Sequence, residues 1–263
     1  MTDLSYLQEL EKLVVSTADE VLDQYFLQTT ASLKQDGSIV TEADITLQAR
    51  LNQELKQLSP EVAMLGEEMS PEQQQQTINS GSPYWCLDPL DGTNNFHHGV
   101  PLFAVSLALV SNREISLGLV YDPIRKEVFS AIKGSGLRIN GQPVDKPDQP
   151  KKLNRCLASV DLKRLDMSMK RRLLEHMPFK SQRNVGTCAL EWAWLAAGRV
   201  QLLLHGGEKF WDYAAGTLLL DEAGGCSCSN RDEAIYNNSL ESRPVIAASN
   251  AQLHESWMGY LLD

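Results

Sequence analysis

Two aspartates, Asp88 and Asp91, lie three residues apart in the segment WCLDPLDGTNNF (85–96), directly after an apolar run. Pro89 fixes its own φ and stiffens the turn between them. Both carboxylates can then lie on one side of the turn, with the Leu90 carbonyl between them. A sequence of this composition also forms ordinary turns. Taken alone, the segment is equally consistent with a plain turn and with a ligand site.

Acidic residues follow two other predicted elements in the same way. Glu67 and Glu68 come directly after the strand pattern VAMLG, and Asp212 opens the helix pattern DYAAG. Each has a simple structural explanation, an exposed loop for the glutamates and an N-cap for Asp212. Together with Asp88 and Asp91, however, they form a set of carboxylates at strand ends. Those ends are where α/β proteins collect ligand groups.

A converging set of four or more carboxylates is costly unless a cation lies within it. Mg²⁺ takes oxygen ligands, typically one or two carboxylates with water and substrate phosphate. Gly92 permits close backbone approach, and Thr93 stands where a short helix could begin and point N–H groups at an anion. Two metal ions about 3.5–4 Å apart would stabilise the attacking and leaving oxygens of a displacement at phosphorus. The residues therefore predict a metal-assisted phosphate site.

Composition argues against several other classes of protein. The 263 residues have a formal net charge of −10, which disfavours a basic nucleic-acid surface, and 43% are hydrophobic, enough for a substantial core. The five cysteines fit no zinc pattern and are expected to be reduced thiols. The first residues lack a signal-peptide pattern, and no apolar run approaches a membrane span. We expect a cytoplasmic protein without a membrane or nucleic-acid partner.

Helix and strand patterns position the first carboxylates. An amphipathic helix is predicted over residues 4–25, and a second helix begins near Thr41 and stops at Ser59-Pro60. Short strand patterns follow, up to a turn at Asn140-Gly141. Among them, the Gln-rich segment 70–83 has no apolar pattern and is predicted to be an exposed loop. The first half is thus two helices followed by a strand-rich sheet.

The segment DKPDQPKK (145–152) combines lysines and prolines without an apolar pattern and is the best candidate boundary. It divides the chain into an N-terminal half (residues 1–145) with most of the metal ligands and a C-terminal half (146–263). Beyond it, strands alternate with helices that close at Gly198 and Gly224. We predict an α/β (α+β) fold in which both halves form one compact catalytic unit.

Three segments are similar to the signatures of a known family. WCLDPLDGTNNF resembles the W-x-x-D-P-[IL]-D-G-T-x-N-F motif of the inositol monophosphatase family, which are Mg²⁺-dependent, lithium-sensitive phosphomonoesterases. GEEMS resembles the family's G-E-E-S motif, and WDYAAGTLLLDEAGG resembles its C-terminal signature. The resemblance covers about residues 4–250. It implies a layered α-β-α-β-α sandwich of the sugar-phosphatase type, two or three Mg²⁺ ions and a homodimer.

The resemblance also implies a role for each matching residue. Thr93, together with Glu67, would orient and activate a metal-bound water for attack on phosphorus. Asp44 would hydrogen-bond Thr93 and hold it in place. The metal ligands it implies are Glu67, Asp88, the Leu90 carbonyl, Asp91 and Asp212.

The implied substrate pocket uses some of the same residues. Gly92 and Thr93 would offer backbone N–H groups to the phosphate, and residues 186–188 would line the alcohol side. The loop Lys34–Thr41 is either a mobile flap near the site or an ordinary surface turn. The substrate-binding residues that the resemblance implies are Asp91, Gly92, Thr93, Gly186, Thr187, Cys188, His205 and Asp212.

One departure leaves the substrate open. Inositol-hydrolysing members usually have a glutamate seven residues before the motif aspartate, in contact with an inositol hydroxyl. Here His205 holds that position, where it could also simply end a strand, and Glu208 stands four residues before Asp212. We expect hydrolysis of a small phosphorylated alcohol, first of all inositol 1-phosphate. Fructose 1,6-bisphosphate, histidinol phosphate and a nucleotide 3′-phosphate are the alternatives, as is a regulatory binding protein on the same fold.

Overall fold

Two β-sheets alternate with layers of helices in the structure, a computed structural model that describes residues 3–28, 31–33, 39–144 and 149–262. The helices are α1 (Leu4–Tyr25), α2 (Glu42–Leu58), α3 (Pro71–Asn79), α4 (Thr93–His97), α5 (Met167–Glu175), α6 (Cys188–Ala196), α7 (Phe210–Glu222) and α8 (Ala251–Leu262). None of the helices within these ranges is long and apolar enough to cross a membrane.

The larger sheet has seven strands in the order β3-β4-β5-β6-β7-β8-β9, all antiparallel neighbours except the parallel pair β3 and β4. A separate hairpin precedes it. The hairpin strands are β1 (Ala31–Leu33) and β2 (Ile39–Thr41), and the sheet strands are β3 (Ala63–Gly66), β4 (Tyr84–Asp91), β5 (Ala104–Ser111), β6 (Glu114–Asp122), β7 (Glu127–Ile132), β8 (Arg138–Ile139) and β9 (Gln142–Pro143).

The smaller sheet has five strands in the order β11-β10-β12-β14-β13. β10 lies parallel to β11 and β12, whereas β14 is antiparallel to both of its neighbours. Its strands are β10 (Leu157–Asp161), β11 (Ser181–Arg183), β12 (Leu202–Glu208), β13 (Cys226–Cys228) and β14 (Arg243–Ala248).

Three apolar clusters show how the layers stack. One joins α1 and α2 to the outer face of the seven-stranded sheet, and a second joins α5 and α8 to the outer face of the five-stranded sheet. The third and largest joins α6 and α7 to both sheets between them. The order of layers is therefore α-β-α-β-α, which confirms the predicted fold class.

Local sequence explains the two outer helices of the larger sheet. Asp3 caps α1 by accepting a hydrogen bond from the Tyr6 N–H at 2.9 Å. α2 begins with a capping box, in which the Thr41 N–H donates to the Asp44 carboxylate at 2.8 Å. Both helices bury a stripe at helical spacing against the sheet, Leu7, Leu10, Val14, Ala18 and Val21 from α1 and Leu47, Leu51 and Leu55 from α2.

The Gln-rich segment 70–83 is not the exposed loop that its composition predicts, because α3 lies within it. Ser70 and Gln73 form a capping box, and Pro71 takes the first helical position, where its missing N–H has no cost. Gln74 is buried, and its amide donates to the Gly66 carbonyl at 2.9 Å. Helix caps and one buried amide thus outweigh the polar composition.

The division of the chain at residue 145 stays a prediction, since residues 145–148 lie outside the described ranges. Helix α7, which belongs to the C-terminal half, nevertheless packs on the seven-stranded sheet. Gly118 of β6 permits this approach, because a β-carbon there would lie 2.8 Å from the Ala215 carbonyl oxygen. The two halves share one central helical layer.

The contact between α6 and α7 gives a stability prediction. Gly216 faces Trp192, and a methyl group at residue 216 would overlap the indole side chain. Gly216→Ala should therefore lower the free energy of unfolding by about 1–3 kcal/mol despite the better helix propensity of alanine. Gln76→Ala on the exposed face of α3 is the control and should change stability by less than about 0.5 kcal/mol in urea denaturation. Equal stability of the two variants would contradict this packing.

Candidate active site

Four carboxylates from three elements meet at one end of the central layer. Glu67 directly follows β3, and its N–H donates to the Leu87 carbonyl at 3.1 Å, so the parallel strand pair places it beside Asp88. Asp88 interacts electrostatically with Glu67, Asp91 and Asp212. The sequence-predicted cluster is thus assembled in space, with residues from β4 and from the first turn of α7.

Asp88 and Asp91 lie within β4 rather than after it. The pairing of β4 with β5 shifts between them, which is a bulge of the kind that redirects side chains in an antiparallel pair. The Asp88 carboxylate accepts a hydrogen bond from the Leu90 N–H at 3.0 Å. This bulged turn at Pro89 brings both carboxylates and the Leu90 carbonyl to one region, as the sequence predicts.

Gly92 ends this turn in the left-handed conformation, with φ of +94°. A β-carbon there would lie 3.0 Å from the Leu102 carbonyl oxygen, so glycine is required both by conformation and by space. The five-residue helix α4 starts at the next residue, Thr93. The chain therefore leaves β4 sharply and places the Thr93 side chain beside the carboxylates.

Asp44 connects Thr93 to the start of α2. The Thr93 hydroxyl lies 2.8 Å from the Asp44 Oδ1 and 2.9 Å from the Leu90 carbonyl, and donates to one or the other. The second Asp44 oxygen accepts from the Thr41 N–H and from its hydroxyl. Burial raises the pKa of Asp44, and these hydrogen bonds partly offset that effect. The predicted contact between Thr93 and Asp44 is thus present, and the positioning role of Asp44 stays a prediction.

Asp91 is held by the N-terminus of α6. One of its carboxylate oxygens accepts from the Thr187 hydroxyl at 2.6 Å and from the Ala189 N–H at 2.5 Å. Burial raises the pKa of Asp91 to about 6, and these two hydrogen bonds oppose the rise. A carboxylate at a helix N-terminus is stabilised by the helix dipole. Thr187 therefore fixes a site carboxylate, in addition to the pocket-lining role predicted for it.

Asp212 is not the N-cap that its position at a helix start suggests. Lys209 is the N-cap of α7, and Asp212, three residues later, accepts from the Lys209 N–H at 2.8 Å through one oxygen. Burial raises the pKa of Asp212 well above its ordinary value, and the charges of Asp91 and Glu208 add to it. The helix start orients this carboxylate into the cluster.

The donor set suits a hard divalent cation. Burial, followed by the charges of Glu67 and Asp91, raises the pKa of Asp88 well above its ordinary value. Mutually repelling carboxylates that are removed from water in this way need positive charge to stay ionised. Oxygen ligands from carboxylates and one carbonyl match the preference of Mg²⁺. The residues thus fit the metal that the motif implies.

The residues predicted to line the alcohol side of the pocket include Cys188 at the start of α6 and His205 near the end of β12. Cys188 is partly exposed at the start of α6, while His205 is 5% and Glu208 0% exposed. Burial lowers the pKa of His205, but the hydrogen bond to Asp161 and the charge of Glu208 outweigh this and leave it raised. His205 therefore belongs to a buried polar network and does more than end a strand.

Asn95 helps to hold the site together but was not predicted from the sequence. The Asn95 amide donates to the carbonyls of Leu102, Val185 and Gly186, at 2.8, 2.9 and 3.3 Å, and so ties α4 to the loop before α6. Its position in the N-F part of the motif is the sequence feature that could have indicated this role. Residues 34–38 of the predicted flap lie outside the described residues, and residues 39–41 form β2.

Comparisons with known proteins agree with this geometry. A sequence model of the inositol monophosphatase family matches residues 3–261. Inositol monophosphatase 1 of Solanum lycopersicum is 34% identical over 92% of this chain and 89% of its own length. The Nus factor SuhB of Pasteurella multocida is 32% identical over 85% of this chain and 82% of its own.

Solved structures show the same architecture. An IMPase/NADP phosphatase complexed with Mg²⁺ and phosphate superposes with a TM-score of 0.86 at 26% identity, covering 98% of this chain and 95% of that one. These similarities place the chain among the phosphomonoester hydrolases. It belongs to the inositol monophosphatase family, as its motifs predicted.

The raised pKa of Asp91 predicts how stability depends on pH in protein stripped of metal by a chelator. The folded state binds the proton more tightly than the unfolded chain, so this group's contribution is present at low pH and is lost as pH rises from about 4 through about 6. The free energy of unfolding should fall over this interval.

Urea denaturation at a series of pH values measures this fall, and Asp91→Asn should reduce it. Mg²⁺ should restore stability above about pH 6, because it binds the ionised cluster of the folded state. A wild-type curve that rises with pH through this interval, or that matches the Asp91→Asn curve, would refute the role of Asp91.

Proposed function

We propose that this protein hydrolyses a small phosphorylated alcohol with Mg²⁺ as its metal cofactor. The observation that carries the proposal is the convergence of Glu67, Asp88, Asp91 and Asp212. Burial raises the pKa values of Asp88 and Asp212, and the charges of neighbouring carboxylates add to this effect. Two or three ions would bind these carboxylates and the Leu90 carbonyl. Bound Mg²⁺ would polarise the phosphate and stabilise the charge that develops on its oxygens.

Thr93 positions the attacking water in this proposal. Its hydroxyl proton is directed to Asp44 or to the Leu90 carbonyl, so its remaining lone pairs can accept a hydrogen bond from water. Glu67 would accept the proton that this water loses, since it lies at the same end of β3 and β4. No covalent enzyme intermediate is required, because water attacks phosphorus directly.

The phosphate and the alcohol would occupy opposite sides of the carboxylate cluster. Backbone N–H groups of Gly92 and Thr93 would bind the phosphate, and Gly186, Cys188 and His205 would contact the alcohol. Inositol 1-phosphate is the first candidate, in keeping with the family resemblance and with relatives that are named inositol monophosphatases. Histidine in place of the usual glutamate keeps the other phosphate esters open.

A regulatory role is the second candidate, and the similarity to a Nus factor favours it. Both roles can share one fold, since binding of a macromolecule requires surface residues and hydrolysis requires the carboxylates. We further propose a homodimer in the cytoplasm and inhibition by lithium, in keeping with the family resemblance.

Loss of one carboxylate should lower turnover strongly. Asp91→Asn should lower kcat/KM by about 100-fold or more, because several kcal/mol of metal stabilisation depend on this ligand. Asp221→Asn on the exposed end of the same α7 that carries Asp212 is the matched control and should retain activity. Phosphate release with Mg²⁺ measures both variants on the substrate panel named above. The proposal fails if no phosphomonoester is hydrolysed, or if Asp91→Asn is as active as wild type.

The hydroxyl of Thr93 should matter for kcat more than for KM. Thr93→Val keeps the side-chain shape but cannot position water, and kcat should fall by about 10²–10⁴-fold with little change in KM. Thr93→Ser retains the hydroxyl and should keep most of the activity. If Thr93→Val and Thr93→Ser lose activity equally, the shape of the side chain rather than its hydroxyl is what matters.

A further inference from the structure

Three side chains of different chemistry meet beside the carboxylate cluster. The Cys188 thiol, a ring nitrogen of His205 and a carboxylate oxygen of Glu208 lie within 4.8 Å of one another. They come from the first turn of α6 and from the end of β12, where the pairing with β14 shifts between His205 and Glu208. That irregularity directs both β12 residues toward α6. The proposed Mg²⁺ ligands do not include any of the three.

One oxygen of Glu208 is buried and lacks a partner. Glu208 is 0% exposed, and its Oε2 accepts from the Trp192 indole N–H at 2.7 Å. Its Oε1 has no hydrogen-bond partner among the described residues and lies 3.9 Å from the His205 Nδ1. A buried carboxylate oxygen without a donor is costly. The Trp192 contact holds the other oxygen in place, so Oε1 is aimed into the space beside His205.

The contacts of His205 indicate which ring nitrogen carries the proton. Nε2 lies 3.3 Å from the Asp161 carboxylate, which favours a proton on this nitrogen. Nδ1 accepts a long hydrogen bond of 3.2 Å from the Gly207 N–H, as an unprotonated nitrogen does. A carboxylate behind one ring nitrogen, with the other nitrogen unprotonated, is the arrangement that orients metal-binding histidines. A metal ion at Nδ1 would take the lone pair that now accepts the long hydrogen bond from Gly207.

We propose that Cys188 Sγ, His205 Nδ1 and Glu208 Oε1 form a binding site for a Zn²⁺-like transition metal, separate from the Mg²⁺ site. Three protein ligands with a fourth position open is a common zinc arrangement. The ligand atoms of a tetrahedral zinc site lie about 3.3–3.8 Å from one another. Side-chain rotations that move the ligand atoms by about an ångström would bring them to these distances. The thiol proton passes to solvent when sulfur coordinates. Sulfur and imidazole ligands distinguish this site from the all-oxygen Mg²⁺ site.

An ion at this site would affect the neighbouring chemistry. Cys188 lies within electrostatic range of Asp91 and Asp212, on the side proposed to accept the alcohol. Zn²⁺ bound there would occupy space that the substrate alcohol needs and would therefore inhibit. This consequence rests on the proposed function, whereas binding of the metal itself does not.

Cobalt binding tests the site without reference to activity. Co²⁺ replaces Zn²⁺ in such sites, and a thiolate ligand gives it a charge-transfer absorption that oxygen ligands do not give. The full-length protein is titrated with Co²⁺ in the presence of Mg²⁺ sufficient to fill the carboxylate cluster. We expect the thiolate absorption to saturate at one equivalent of Co²⁺ and to disappear when Zn²⁺ is added.

Variants assign the absorption to this site. Cys188→Ser should remove it, and Asp161→Ala, which removes the carboxylate behind His205, should weaken Co²⁺ binding by about 10- to 100-fold. Cys228→Ser is the matched control, because the Cys228 Sγ also contacts a histidine ring, that of His254 at 3.4 Å; it should retain the absorption. Glu208→Gln, which can still accept from Trp192, should also weaken Co²⁺ binding.

Two results would overturn the proposal. The first is the absence of a thiolate absorption at stoichiometric Co²⁺ in wild type, which would mean that a proton shared by His205 and Glu208 occupies the space instead. The second is an absorption that persists in Cys188→Ser or vanishes in Cys228→Ser. Phosphatase activity enters neither result, so failure here and failure of the proposed function are distinguishable.

Discussion

Repulsion among closely spaced carboxylates, one buried and three half-buried, is the constraint on which the rest of this structure depends. Asp88 and Asp212 have raised pKa values because burial and their acidic neighbours disfavour the charged form. A protein gains nothing in stability from such a cluster without a cation. The fold must therefore hold the carboxylates together against their own charge, and the cation that relieves the repulsion also provides the chemistry proposed here.

Each carboxylate is held by a different local device. Asp91 accepts from the N-terminus of α6, Asp212 accepts from the backbone of its own helix start, and a bulge in β4 redirects Asp88. The devices lie on the seven-stranded sheet and on the central helical layer. A large buried core between the sheets fixes these elements relative to one another, which explains how the site can be precise while its members repel.

Much of this arrangement was predictable from particular residues. The apolar residues of α1 and α2 recur at helical spacing, so both helices could be predicted directly. Three motifs implied the order of the layers because they resemble the signatures of a known family. The prediction was wrong for one local element. Helix α3 was missed because its glutamines suggest a loop, although Ser70 and Pro71 mark a helix start. The network around His205 could not be predicted, since Asp161 and Trp192 reach it only through the packing of β10 and α6.

A crystal structure with Mn²⁺ in place of Mg²⁺ tests most directly whether the four carboxylates bind a divalent cation. Manganese prefers the same oxygen ligands and is located by its anomalous scattering. We expect anomalous density within coordination distance of Glu67, Asp88, Asp91 and Asp212. Density elsewhere, or none at saturating Mn²⁺, would contradict it.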